Sequence, residues 1–227
     1  MRSSAVVSGI LFVLLLVLVA VGWAPLISFD RWAVEALHRD AVAEPGLTHA
    51  HRVLSDWGWD PWTMRALAAA AVVLLWWRRE RRLALWVTGT SLLAVGLQQG
   101  VKSLVGRERP QWDDPVDSAR FAAFPSGHAM TATVTCGLLL WVLAMRWRPE
   151  WRGWGTLATV ALVSVLGVGW TRVYLGVHWP SDVLGGWLLG WCCVAVAVLT
   201  YRRSVRRDPR TQPGATGDSG SRMGETG

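Results

Sequence analysis

Three short polar stretches hold the residues that could do chemistry: Lys102 to Pro110 (KSLVGRERP), Pro125 to His128 (PSGH) and Thr171 to Asp182 (TRVYLGVHWPSD). Among them are the cations Lys102, Arg109 and Arg172, hydroxyls, the imidazoles of His128 and His178 and the Asp182 carboxylate. Such a set can hold a tetrahedral oxyanion and pass a phosphoryl group through a histidine. Each stretch borders a hydrophobic run long enough to cross a bilayer.

Pro125-Ser126-Gly127-His128 directly precedes the apolar run AMTATVTCGLLLWVLAM, so it should open a helix. Unpaired N–H groups and the positive end of the dipole favour an anion there. Ser126 can cap that helix or donate to an anion, and Gly127 permits close backbone approach. His128 is placed to hand on a proton, although an imidazole at a membrane edge is also a common interfacial residue. His178 and Asp182 stand four apart across Pro180. If that turn is helical they share a face. Asp182 can then accept from one ring nitrogen and leave the other as a nucleophile. The alternative for Asp182 is a charge that suits the helix dipole. Lys102 and Arg109 lie seven apart at the end of a span, where snorkelling is the ordinary role. Arg suits bidentate contact with phosphate oxygens, and Lys acts as a point charge.

The elements that must position these residues are hydrophobic. The chain has 227 residues, 52% hydrophobic and 17% charged, with 17 Trp. A soluble domain carries about a quarter charged residues. Apolar runs of membrane-spanning length recur at about 5–24, 62–77, 83–101, 127–145, 154–170 and 180–201. The first resembles a signal peptide but is long for one and lacks an A-x-A site, so it is expected to be an uncleaved membrane helix. Residues 28–60 alternate charges with Trp32, Val34, Leu37 and Val42, as short amphipathic helices in the interface would. His38, His49 and His51 have no metal-ligand spacing and read as surface residues. Trp57, Trp59 and Trp62 suit an aromatic belt.

Net charge is +7, and of the 23 basic residues only Lys102 is a lysine. The Arg residues cluster in short connections at 78–82, 146–152 and 202–210, which argues for membrane orientation rather than nucleic-acid binding. Six crossings put both termini and all three Arg-rich connections on the cytoplasmic side, and the three polar stretches on the other. From Asp208 onward the chain is Gly, Ser, Thr and Pro with little to bury, and is expected to be disordered. Cys136, Cys192 and Cys193 fall in apolar runs, which predicts buried packing without a disulfide framework or zinc site.

Lys102-x6-Arg109-Pro110, then Pro125-Ser126-Gly127-His128, then Thr171-Arg172-x5-His178-x3-Asp182, resembles the three-part signature of the type 2 phosphatidic acid phosphatase (PAP2) superfamily. That group includes vanadium haloperoxidases and glucose-6-phosphatase. Order and internal spacing match over roughly residues 60–200, and Thr171 stands where the family usually has Ser.

The resemblance implies an all-α, six-transmembrane bundle of PAP2 type with cytoplasmic termini. The expected domains are a first helix at 1–27, interfacial helices at 28–60, a catalytic membrane core at 61–201 and a basic, then disordered, tail at 202–227. It implies that His178 attacks phosphorus, oriented by Asp182, through a phosphohistidine. His128 would protonate the leaving oxygen and then activate water. Lys102, Arg109, Ser126, Gly127, Thr171 and Arg172 would bind the phosphate.

No carboxylate cluster suits a metal, so neither metal nor cofactor is expected. The expected function is hydrolysis of a membrane lipid phosphate, of the phosphatidic acid or phosphatidylglycerol phosphate class, at the extracytoplasmic face of a cell membrane. The Arg bias hints at a bacterial source. An undecaprenyl or other polyprenyl diphosphate phosphatase is the alternative enzyme. A non-catalytic lipid-phosphate binder or transporter is the alternative of another class, but it would be expected to have lost one of His128, His178 and Asp182. The bilayer and the lipid are the expected partners, with no nucleic acid; oligomeric state is not encoded in any motif.

Overall fold

The computed structural model describes residues 1–146 and 153–206. Among these are eight α-helices and no strand: α1 (Arg2–Ala20), α2 (Ala24–Ala43), α3 (Pro45–Val53), α4 (Pro61–Trp77), α5 (Arg81–Val105), α6 (Gly127–Arg146), α7 (Trp154–Tyr174) and α8 (Pro180–Arg206). A single π-helical turn, Leu54–Gly58, follows α3. The tail expected to be disordered, with Arg207 and Arg210, and the connection carrying Arg148 and Arg152 lie outside the described residues.

Four helices are long and apolar enough to cross a membrane: α1, α6, α7 and α8. The other two expected crossings are weaker by this measure. α4 has 17 residues, short of the ~20 that a bilayer core requires. α5 is longer, but carries Gln98, Gln99 and Lys102 toward its C-terminal end.

α8 is the central strut, packed against both α6 and α1. Its close approach to α6 rests on small residues. A Cβ at Gly186 would stand 2.7 Å from the Ser126 carbonyl oxygen, and one at Gly190 3.1 Å from that of Met130. The Gly186-x3-Gly190 spacing is the small-residue stripe that lets membrane helices touch backbone to backbone. Leu138, Trp141, Val194, Val198 and Tyr201 fill the core away from the site. Phe12 of α1 stacks on Phe124, ring centroids 6.0 Å apart, and so braces the segment just ahead of Ser126.

α2, with 20 residues, is longer than the short helices expected at 28–60. It packs against α7 and α8 and buries Asp30, Val34, His38 and Ala41, one stripe at helical spacing. A hydropathy pattern does not count Asp30 and His38 as buried, because nothing in the local sequence shows their partners. His38 is a correction to the surface reading: it is buried and stacks on Trp112 at 3.8 Å between centroids. His51 meets Tyr174 edge-on at 4.3 Å, and His49 is exposed as expected. Cys193 is buried, Cys136 and Cys192 half-buried, and all three are free thiols.

Candidate active site

Four helix ends meet at one pole of the bundle: the C-termini of α5 and α7 and the N-termini of α6 and α8. α5 ends where Gly106 takes a left-handed conformation (φ 58°) and returns its N–H to the Lys102 carbonyl at 3.0 Å. The loop that follows carries Arg107 and Arg109 across to the α7–α8 turn. The N–H of Ser126 donates to the Asp182 carbonyl at 2.9 Å, which joins the start of α6 to the start of α8. The N–H groups of Val177 and His178 both donate to the Arg172 carbonyl at 3.2 Å, which folds the α7–α8 turn back on itself.

His178 sits in that turn, almost fully buried. Its Nδ1 lies 3.3 Å from Asp182 Oδ2, and its Nε2 lies 3.1 Å from Arg109 Nη1. Because Asp182 accepts on one side and Arg109 donates on the other, the arrangement favours the tautomer with the proton on Nδ1 and a lone pair on Nε2. Burial, followed by the charges of Arg109, Arg172, Lys102 and Arg107, holds this imidazole well below its usual range, so the ring is neutral. Asp182 Oδ2 also accepts the Trp179 N–H at 2.9 Å.

The three expected cations are gathered here. Lys102, buried on α5, donates to the Ala122 carbonyl. Arg109 donates to the carbonyls of Val177 (2.6 Å), Phe121 (2.9 Å) and Arg120 (3.1 Å). Burial and the like charge of Arg172 push its guanidinium down to about 10. Arg172 is buried at the end of α7, with Nη1 2.7 Å from Ser55 Oγ and 3.4 Å from Asp117 Oδ2. Its Nε is buried without a hydrogen-bond partner. His128 is half-buried in the first turn of α6.

Ser126 is fully buried, and its Oγ makes no hydrogen bond within the protein. It does not cap α6. Gly127 leaves room for the Gln98 side-chain amide, which a Cβ there would meet at 2.5 Å and have to displace. Thr171 is buried, but its hydroxyl donates to the Val168 carbonyl of its own helix at 2.8 Å.

Sequence reasoning missed several polar neighbours: Gln98 beside Gly127, Ser55 and Asp117 on Arg172, and Arg107 with Asp30. Arg107 Nη1 lies 2.7 Å from both Ser181 Oγ and Asp182 Oδ1, and Nη2 lies 2.7 Å from Asp30 Oδ2. The only sequence signal was the isolated charge of Asp30, four residues before Val34 on the apolar stripe of α2. Among the described residues no group of three or more His, Cys, Asp or Glu side chains is placed to hold a metal ion.

The PAP2 superfamily model matches residues 83–206, and the chain belongs to that superfamily. A decaprenylphosphoryl-5-phosphoribose phosphatase from Mycobacterium tuberculosis is 32% identical over 162 residues, 68% of this chain and 81% of that one. Phosphatidylglycerophosphatase B of Bacillus subtilis is 36% identical over 48% of this chain and 51% of its own length. An undecaprenyl-diphosphatase from Sulfolobus acidocaldarius is 29% identical over 49% of this chain and 52% of its own. The match thus spans about half the length of the latter two relatives. The crystal structure of a transmembrane PAP2 type phosphatidylglycerolphosphate phosphatase from Bacillus subtilis superposes with a TM-score of 0.78 at 22% identity. It covers 90% of this chain and 98% of that one, which establishes the fold.

Proposed function

We propose that this protein hydrolyses the phosphate ester or diphosphate of a membrane lipid through a phosphohistidine on His178. The observation that carries the reading is the buried His178 ring, held between Asp182 at Nδ1 and a cation at Nε2. Arg109 occupies the lone pair that must attack, so an incoming phosphate oxygen has to draw the guanidinium off Nε2 before the nitrogen can reach phosphorus. Phosphate binding and unmasking of the nucleophile are then one event.

The chemistry runs in two displacements. His178 Nε2 forms the N–P bond as the P–O bond to the lipid breaks, and His128, protonated once the anionic phosphate offsets the surrounding cations, gives its proton to the departing oxygen. Neutral His128 then takes a proton from water, whose oxygen attacks phosphorus. The N–P bond breaks, phosphate leaves and both imidazoles return to their starting forms. Asp182 holds the Nδ1 proton and balances positive charge on the phosphorylated ring. Lys102, Arg109 and Arg172 neutralise the equatorial oxygens, with Ser126 Oγ and the first N–H groups of α6 completing the cradle. Thr171 contributes through the end of α7 that carries Arg172. The charge required is supplied by side chains, so no metal is expected to be needed.

A lipid substrate is supported by the apolar surroundings. A cavity of about 380 Å³ between α4, α5 and α6 is lined by Ala68, Val72, Leu92, Val95 and Val134, and Gln98, a neighbour of Gly127, also lines it. The relatives are named as phosphatases of phosphatidylglycerol phosphate, undecaprenyl diphosphate and decaprenylphosphoryl-5-phosphoribose, so both glycerolipid and polyprenyl substrates fit.

Six crossings, with α4 and α5 as the shorter or more polar pair, would place the site at the extracytoplasmic face and both termini in the cytoplasm. The Arg residues at 78–82 and Arg146 support this: Glu80 pairs with Arg146, so these two connections share the end opposite the site. Phosphate release by the purified protein from phosphatidic acid, phosphatidylglycerol phosphate and undecaprenyl diphosphate tests the activity. Equal rates for wild type, His178→Ala and His128→Ala would sink it and leave a lipid-phosphate binder.

A further inference from the structure

Arg107 belongs to the same loop as Arg109 but is spent differently. Its Nη1 hydrogens go to Ser181 Oγ and Asp182 Oδ1, and its Nη2 goes to Asp30 Oδ2, each at 2.7 Å. The guanidinium also lies over the Trp179 ring, 5.5 Å from its centroid. Both arms of the fork are engaged, so Arg107 has little left to offer a phosphate.

Asp30 is fully buried and comes from α2, outside the 83–206 region that matches the family. One oxygen accepts the Ser181 N–H at 3.0 Å, and the other accepts both the Ser181 hydroxyl and Arg107. Burying a carboxylate is expensive unless it is paired and hydrogen-bonded, and here every partner is a group that also touches or adjoins Asp182. The planar fork of Arg fixes two carboxylates in one plane, which a lysine cannot do.

We propose that Asp30 and Arg107 are positioning residues that act through Asp182. Asp30 locks the Arg107 fork, the fork fixes Asp182 Oδ1, and Oδ2 is thereby aimed at His178 Nδ1. The pair sets the orientation and tautomer of the nucleophile without touching the substrate. This rests on the phosphatase reading above.

Full-length protein in detergent tests it by phosphate release from mixed micelles of phosphatidic acid, phosphatidylglycerol phosphate or undecaprenyl diphosphate, the variants being compared on a lipid that wild type cleaves. If wild type releases phosphate from none of the three lipids, the phosphatase reading itself fails. If wild type is active, Arg107→Met is expected to lower kcat by about 10- to 100-fold with KM within about twofold, the pattern of a misaimed catalytic group. Arg107→Lys restores only part of kcat, and Asp30→Asn, which keeps the side-chain volume, falls between wild type and Arg107→Met. In an Asp182→Asn background, Arg107→Met costs less than about threefold further, because its route of action is already gone. A full-sized loss in both backgrounds, or a raised KM at constant kcat, makes Arg107 a phosphate ligand and overturns the proposal. If Arg107→Met does not fold, Asp30→Asn carries the test alone: wild-type kcat in that variant overturns the proposal.

Discussion

The backbone N–H of Ser126 donates to the carbonyl oxygen of Asp182 at 2.9 Å, so the first residues of the two site helices are tied main chain to main chain. That bond puts the N-terminal end of α6 beside the His178–Asp182 pair without help from any side chain. It also explains why α8 must present a glycine where α6 passes.

Gly186 is that glycine. With a Cβ 2.7 Å from the Ser126 carbonyl oxygen and 3.1 Å from the Met130 nitrogen, Gly186→Ala has to spread α6 from α8. Overpacking of this kind costs about 1–3 kcal/mol. A lower melting temperature in detergent, together with reduced kcat, is expected. An unchanged melt would mean that the helices part freely.

His178→Ala should abolish phosphate release, with a fall of about 10⁴-fold or more, since the nucleophile is gone. His128→Ala should instead slow both proton transfers, by about 10²- to 10⁴-fold. With a phosphate-labelled lipid, acid-quenched His128→Ala should retain label on the protein and His178→Ala should not. Label on the His178 variant would place the nucleophile elsewhere.

The neutral state of buried His178 has a sign that can be checked. Its folded pKa lies well below the ordinary 6.5, so above pH 6.5 the ring is uncharged in folded and unfolded chains alike and adds no pH dependence. As pH falls below 6.5 the unfolded chain takes up a proton that the folded ring refuses. Stability then drops by up to about 1.4 kcal/mol per pH unit from this residue alone. Melting temperatures from pH 7.5 to 5 should fall more steeply for wild type than for His178→Gln. Parallel slopes would show a ring that protonates normally in the fold.

Ser126→Ala separates binding from folding. The hydroxyl is buried and has no partner in the protein, so its removal should leave stability unchanged or slightly higher. If Oγ donates to the phosphate, kcat/KM should nevertheless fall about tenfold, worth about 1.4 kcal/mol of transition-state stabilisation. Unaltered kcat/KM would remove Ser126 from the cradle.

Phosphate release should persist in excess EDTA, because Lys102, Arg109 and Arg172 already provide the positive charge that a phosphoryl transfer calls for. Activity lost on chelation and regained with a divalent ion would require a different mechanism.

The helix ends and the residues on them could be read in one dimension. Apolar runs set where helices form, Pro180 and Gly127 stand at helix starts, and the four-residue spacing brought His178 and Asp182 within 3.3 Å, although His178 lies in the bend ahead of α8 and not on a helical turn with Asp182. The Arg-rich connections were expected together, away from the three polar stretches, and of these the 78–82 connection and Arg146 do meet, through Glu80. What surrounds the site could not be read that way. Asp30, Ser55 and Asp117 look like surface residues in their own segments, yet each is matched with an arginine from a distant part of the chain. Arg107 differs from Arg109 only by the partners it meets, and Gly186 is needed only because Ser126 lies against it. Local pattern reflects the preference of each residue for water or apolar surroundings, and that is enough to lay out helices and their ends. Which buried charge answers which is an energy of contact between separate segments, and it exists only once the helices have packed.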